Sequence, residues 1–210
     1  MAGWIRRAYT SAGLTQIPTG PYLRDVQSRY GGTVMLMIDV SGSMDGQPIL
    51  EAARGAKQFV EEAVEANYHV GLMLWNTEVV SASQPERDGA GATRILAGLH
   101  SARGGNYLIL PLNHCHEILD GFTGDRVVAL FGDGDLSPKG EVLVKVAQMK
   151  SENIRFVTRG LGAMAAREFG EISDDKPETA AVDGVQEIAE KIAGMSSILK
   201  AGASGIPSRG

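Results

Sequence analysis

The sequence predicts an α/β protein: a doubly wound, mainly parallel central sheet with one short antiparallel edge strand and helices on both faces. Three observations carry that reading. Apolar runs alternate with segments whose apolar residues recur every three or four positions, the pattern of strands joined by covering helices. The strand runs are continuously apolar, as strands buried on both faces must be. A length of 210 residues suits one such domain with some extra chain at its ends.

Residues 1–31 carry Gly13, Pro18, Gly20 and Pro21 and no sustained period. They read as an N-terminal arm, with a short helix expected at Tyr22–Arg29 and Tyr22, Leu23 and Tyr30 as its anchoring side chains. The domain proper is expected over 32–200. Thr33–Ile38 (TVMLMI) is the first buried strand. Pro48–Ala66 then sets Ile49, Ala52, Ala56, Phe59, Val60 and Ala63 on one stripe, an amphipathic helix with Pro48 in its first turn. His69–Trp75 is the second buried strand, and Val79–Ser83 the edge strand that returns through the turn Asn76-Thr77-Glu78.

Ala92–Ala102 and Tyr107–Leu119 read as helices, and Arg126–Phe131 as the third buried strand. The helix Lys139–Ser151 follows, with Ser137 expected as its N-cap and Pro138 at its first position. Ile154–Thr158 is a fourth buried strand, Ala163–Phe169 a short helix, Glu178–Val182 a last strand and Val185–Leu199 the closing helix. Residues 201–210 are rich in Gly, Ser and Pro and read as a flexible tail.

Composition narrows the function. The single cysteine, Cys115, rules out an intramolecular disulfide, and a domain this size buries roughly 70% of its unfolded surface without one. The first residues lack the apolar core of a signal peptide, and no window approaches ~18 consecutive apolar residues. These features predict a cytoplasmic protein with no membrane span. A net charge of −5, with Arg6-Arg7 the densest basic cluster, argues against nucleic acid as a partner.

In folds of this kind, ligands bind beyond the carboxyl ends of the strands, at the topological switch point. Asp39-Val40-Ser41-Gly42-Ser43-Met44 lies there, where the first apolar run stops. Alternate residues of that loop can aim one carboxylate and two hydroxyls at a point, and Gly42 lets the backbone turn closely. Such oxygens suit a hard cation, Mg²⁺ or Mn²⁺. Gly132-Asp133-Gly134 leaves another buried strand at the matching end, so Asp39 and Asp133 can share one cation that offsets their repulsion. Asp135 reads as a rim residue of the same loop.

Asp39-x-Ser41-x-Ser43 resembles the metal-ion-dependent adhesion site of von Willebrand factor A domains. Gly132-Asp133-Gly134 resembles that family's Thr-Asp-Gly, and Gly104-Gly105-Asn106 its Gly-Gly-Thr loop. The likeness covers about residues 32–200 and implies the family's Rossmann-like fold, in an intracellular bacterial-type version. It implies that Ser41 and Ser43 bind Mg²⁺, or Mn²⁺ or Ca²⁺, directly, while Asp39 and Asp133 act largely through bound water. It also implies one open coordination position, filled by an Asp or Glu of a protein partner. For cytoplasmic members the implied context is an adaptor or scaffold beside a MoxR-type AAA+ ATPase or in a stress-response system. Asn106 departs from the pattern: its amide oxygen can ligate a hard cation, but its NH₂ cannot.

Competing readings are weighed on the same residues. Asp39 alone would also serve as a turn residue, which leaves a scaffold with a degenerate or empty site as one alternative. A Mg²⁺-dependent phosphohydrolase with Asp39 as nucleophile needs a second Asp two residues on for proton transfer, and Ser41 stands there. The expectation is therefore a non-catalytic domain. His114-Cys115-His116 looks like a metal cluster, but on a helix i and i+2 diverge, and no second Cys or His pair completes a zinc set. Those residues, like Trp75, read as packing or surface.

Overall fold

A computed structural model of the chain describes residues 31–134, 136–175 and 181–202. The expected N-terminal arm, with its helix at Tyr22–Arg29, lies outside these residues except for Gly31. So do Asp135, the start of the expected strand at Glu178, and the tail beyond residue 202.

The strands are β1 (Thr33–Asp39), β2 (His69–Trp75), β3 (Val79–Ala82), β4 (Arg126–Gly132), β5 (Ile154–Leu161) and β6 (Ala181–Val182). They form one sheet in the order β3-β2-β1-β4-β5-β6. All neighbours are parallel except β3, which returns antiparallel along β2 with a register irregularity at Leu74/Trp75. The helices are α1 (Gln47–Glu65), α2 (Ala90–Ala97), α3 (Ile109–Asp120), α4 (Lys139–Ser151), α5 (Ala163–Gly170), α6 (Ile188–Gly194) and α7 (Ser196–Gly202). The expected fold class is the one observed.

Alternation along β1 divides the core. Val34, Leu36 and Ile38 face α1 and α6, packing with Phe59, Leu72, Phe131 and Ile192. Met35 and Met37 face the other layer, with Trp75, Leu112, Cys115 and Phe156. Side chains buried this completely contribute about 1.5–3 kcal/mol each relative to exposure, and all seven residues of β1 are buried. Its neighbours β2 and β4 run off in opposite directions of chain order, which makes the β1/β4 carboxyl ends the switch point.

Several boundaries differ from the sequence expectation, each for a local reason. Helix α2 starts at Ala90, after Gly89 in the left-handed region at φ 62°, and stops at Gly98. Residues 99–102 are loop instead, and Ala102 N–H donates to Asp45 Oδ1 at 3.0 Å. Helix α3 starts at Ile109, and just before it the Tyr107 and Leu108 N–H groups donate to Asn76 O and Ser137 O. Helix α4 takes Pro138, not Ser137, as its cap residue, with no side-chain capping bond, and the Ser137–Pro138 peptide is cis. The Ser137 carbonyl is directed at Leu108 N–H, 2.9 Å away. Strand β5 runs three residues further than expected, where Gly160 and Leu161 pair with β6. The closing helix is broken into a 3-10 turn at Val185–Glu187, α6 and α7, with buried Met195 at the break.

At the amino ends of the strands, Arg155 forks onto Asp125 through Nε at 2.8 Å and a terminal nitrogen at 2.6 Å. The Tyr68 hydroxyl donates to the same carboxylate and lies 3.2 Å from Leu199 O, which ties α7 to the sheet. Burial alone would raise Asp125, but the Arg155 and Tyr68 hydrogen bonds prevail and hold it below the usual carboxylate range. On the opposite layer, Cys115 is buried, and burial pushes its thiol well above the usual range. Lys145 Nζ donates to His116 Nδ1 at 2.8 Å, and His116 Nε2 meets Glu152 at 2.6 Å. His114 faces Glu117 one turn on. The His-Cys-His run thus joins α3 to α4.

Candidate metal centre

Asp39 is the last residue of β1 and is fully buried. Its Oδ1 accepts the Ser41 N–H at 2.7 Å, which turns the chain off the strand. Its Oδ2 is buried and has no hydrogen-bond partner among the described residues. Burial pushes the Asp39 carboxyl up to about 6. The Ser41 N–H and hydroxyl and the nearby Asp133 N–H oppose that rise, and the charge of Asp133 adds to it.

The next turn brings the other oxygens together. Gly42–Met44 forms a single 3-10 turn. In it the Ser41 and Ser43 hydroxyls lie 3.2 Å apart, and Ser43 Oγ donates to Asp133 Oδ1 at 2.9 Å. Ser41 is buried, Asp133 half-buried and Ser43 exposed, so the cluster runs from the interior to the surface. Asp39, Ser41, Ser43 and Asp133, all expected from the sequence, are assembled at the switch point. Gly42 needs no left-handed backbone; its N–H donates to Gly104 O at 3.0 Å and joins the loop to its neighbour.

Two glycines of the 132–134 loop are required by close approach. A Cβ on Gly132 would lie 2.8 Å from Asp39 Cβ and 2.9 Å from Oδ2. A Cβ on Gly134 would lie 1.4 Å from Asn106 Nδ2, so Asn106 rests against the backbone of that loop. Asn106 is thereby placed beside the loop that carries Asp133.

Two positioning residues were not singled out from the sequence. Asn76, read only as a turn residue, donates through Nδ2 to Arg103 O at 2.7 Å and accepts the Glu78 N–H at 3.2 Å. Its own carbonyl accepts the Tyr107 N–H at 3.0 Å. Asp45 holds Ala102. Between them they fix both ends of the 102–107 loop against β2 and the serine loop. An Asn opening the turn after a buried strand was the available signal for the first of these.

The donor set is chemically coherent for a hard cation. It offers two carboxylates and two hydroxyls at one edge, with a buried carboxylate oxygen left unsatisfied. Among the described residues no three His, Cys, Asp or Glu side chains cluster as a metal site. Hydroxyls would therefore have to complete any coordination here.

Known proteins match the same region. Residues 34–135 match the von Willebrand factor type A domain family. No functionally curated protein matches the chain. Among solved structures, it resembles the vWF domain of the type V pili tip protein Mfa5 from Porphyromonas gingivalis, with TM-score 0.70 and 12% identity over 86% of this chain and 98% of that one. It also resembles a von Willebrand factor type A protein from Catenulispora acidiphila, with TM-score 0.61 and 18% identity over 81% of this chain. A third likeness is the pilus adhesin SpaC from Lactobacillus rhamnosus GG, with TM-score 0.64 and 13% identity over 81% of this chain. The match spans 43% of the Catenulispora protein and 30% of SpaC. At these identities the likeness concerns the fold. Among the described residues no helix is long and apolar enough to cross a membrane.

Proposed function

We propose that the chain is a von Willebrand factor type A domain and that it works as a non-catalytic, divalent-cation-dependent protein-interaction domain. Its site is Asp39, Ser41, Ser43 and Asp133, with Asn106 on the adjoining loop. The observation that carries this reading is Asp39 Oδ2, a buried acceptor left without a hydrogen bond beside two hydroxyls and a second carboxylate. An unsatisfied buried polar atom costs about 1–3 kcal/mol, so its retention calls for a compensating ligand.

When bound, Mg²⁺ or Mn²⁺ would supply positive charge and an open position for a partner's Asp or Glu. Ser41 and Ser43 would present their hydroxyl oxygens to it. Asp39 would fix the Ser41 backbone by accepting its N–H, and Asp133 would orient the Ser43 hydroxyl. Asn106, braced on Gly134, would narrow the third side. The position two after Asp39 is Ser41 and not a second Asp, which supports the non-catalytic reading. Cytoplasmic adaptor work, beside an AAA+ ATPase of the MoxR kind or a stress-response component, is the partner context we favour.

A second reading has its own observation. The Ser43–Asp133 hydrogen bond and the Ser41–Ser43 contact satisfy the two hydroxyls without a cation. A scaffold with a degenerate site would keep that network permanently. The two readings part in a pull-down with the full chain as bait, in MgCl₂ and in EDTA. The adaptor reading predicts a partner retained only with Mg²⁺ and lost from Ser41→Ala/Ser43→Ala. Retention indifferent to EDTA and to both substitutions would establish the scaffold.

A further inference from the structure

A cleft of about 550 Å³ opens beside the site, between the edge strand β3, the end of α2 and the 98–103 loop. Its floor is apolar: Val40, Leu74, Ile95 and Leu99. Val40 stands between Asp39 and Ser41, so the cleft and the metal centre share a loop and adjoin. We propose that this cleft is the docking groove for an extended segment of the partner protein that carries an acidic, an apolar and a second acidic residue at alternate positions, so that all three face the protein. The first acid reaches the cation site, the apolar residue covers the floor, and the second acid pairs with Arg103. The inference deepens the proposed function and rests on it for the first acid alone.

Three features of the groove select that occupant. Arg103 lines it with an exposed guanidinium that makes no ion pair or side-chain hydrogen bond among the described residues. Its backbone is fixed directly to the site loop, Arg103 N–H donating to Val40 O at 2.7 Å. The position of this cation is therefore set, while its charge is unspent. On a chain of net charge −5, a free cation beside the site is the local feature that favours a second acid.

The second feature is the wall. Among the described residues strand β3 ends the sheet, pairing only with β2, and Val80 is 52% exposed on it. An open strand edge offers backbone donors and acceptors to an extended chain, which is how sheets add a peptide strand. The third is Glu78, which also lines the cleft and carries the opposite sign to Arg103. It disfavours an acid at the β3 end and so gives the bound segment a direction, acidic toward the site and neutral or basic toward β3.

The test uses the full chain and a fluorescein-labelled positional library of eight-residue peptides with one Asp fixed, read by polarisation in MgCl₂ and in EDTA. The proposal predicts selection of a second Asp or Glu near the fixed one. Arg103→Glu should reverse that preference to Lys or Arg by roughly two- to five-fold, the size expected of a rim charge pair. Glu78→Lys should make an acid acceptable at the far end. Separate Mg²⁺ titration of Arg103→Glu should match wild type, since Arg103 is outside the cation site. No binding, no second-acid preference, or a preference unmoved by Arg103→Glu overturns the groove. Reversal by Arg103→Glu that persists in EDTA would retain the groove and sink the cation-dependent reading instead.

Discussion

Gly132 lies directly against Asp39: a Cβ at Gly132 would fall 2.8 Å from Asp39 Cβ. The last residue of β4 is thus held to glycine by the carboxylate that ends β1, and the two strand ends define the site jointly. Gly132→Ala should displace Asp39, because the clash is with a buried residue that has nowhere to retreat. We expect a loss of at least about 1 kcal/mol in stability and at least tenfold weaker Mg²⁺ binding. Urea melts and calorimetry on the same sample check both. Unchanged Mg²⁺ affinity would show that Asp39 is not positioned by this contact.

Asp39 also sets a sign for pH. Its carboxyl is raised to about 6 in the folded chain, against an unfolded value near 4. The metal-free fold therefore carries a penalty above about pH 6, which is relieved as pH falls toward 4. The penalty is on the order of 3 kcal/mol for a shift of this size. Asp39→Asn should remove it, so the metal-free variant should melt higher than wild type at pH 7.5 and no higher at pH 4. Equal melting temperatures at pH 7.5 would mean that the carboxylate is compensated without a cation. Mg²⁺ affinity of wild type should fall below pH 6, as protons compete for the same oxygen.

Asn76 is predicted to act through the 103–107 loop. Asn76→Ala leaves the Arg103 carbonyl and the Glu78 N–H without their partner, a cost of about 1–3 kcal/mol. Mg²⁺ affinity should drop as well, since Asn106 rides on that loop. Asn76→Asp keeps the acceptor and loses the donor, so it should recover part of the stability but not the affinity. Parallel recovery of both would argue against a positioning role.

At the far end of the sheet, Asp125 is held below the usual range by Arg155 and Tyr68. A depressed carboxyl stabilises the fold above its unfolded value and loses that contribution as pH falls further. Wild type should therefore lose stability below about pH 4, and Asp125→Asn should flatten that limb while costing about 2 kcal/mol at neutral pH. Denaturant titrations from pH 3 to pH 7 measure it. An unchanged acid limb in Asp125→Asn would remove the network from the account.

Most of the fold was legible because buried parallel strands announce themselves: the apolar runs ending at Asp39, Trp75 and Phe131 could hardly be surface. Asp39, Ser41, Ser43 and Asp133 were legible for the same reason, since polar residues where such runs stop must lie at one sheet edge. Tertiary hydrogen bonds were not. Just before α3, Tyr107 and Leu108 donate to Asn76 and Ser137, partners 31 and 29 residues away in number, which a local pattern does not reveal. Ser137 failed as a cap because its backbone was already engaged. Asn76 and Asp45 were invisible as positioning residues because what they hold, Arg103 O and Ala102 N–H, is backbone, which carries no sequence signal.

The central claim is that Asp39, Ser41, Ser43 and Asp133 hold one divalent cation. Calorimetric titration of Mg²⁺ and Mn²⁺ into wild type and Asp39→Ala at pH 7.5 tests it most directly. The account predicts one saturable site in wild type and none in Asp39→Ala, with Asp39→Ala folded by circular dichroism. Indistinguishable heats in the two proteins, with both folded, would contradict it.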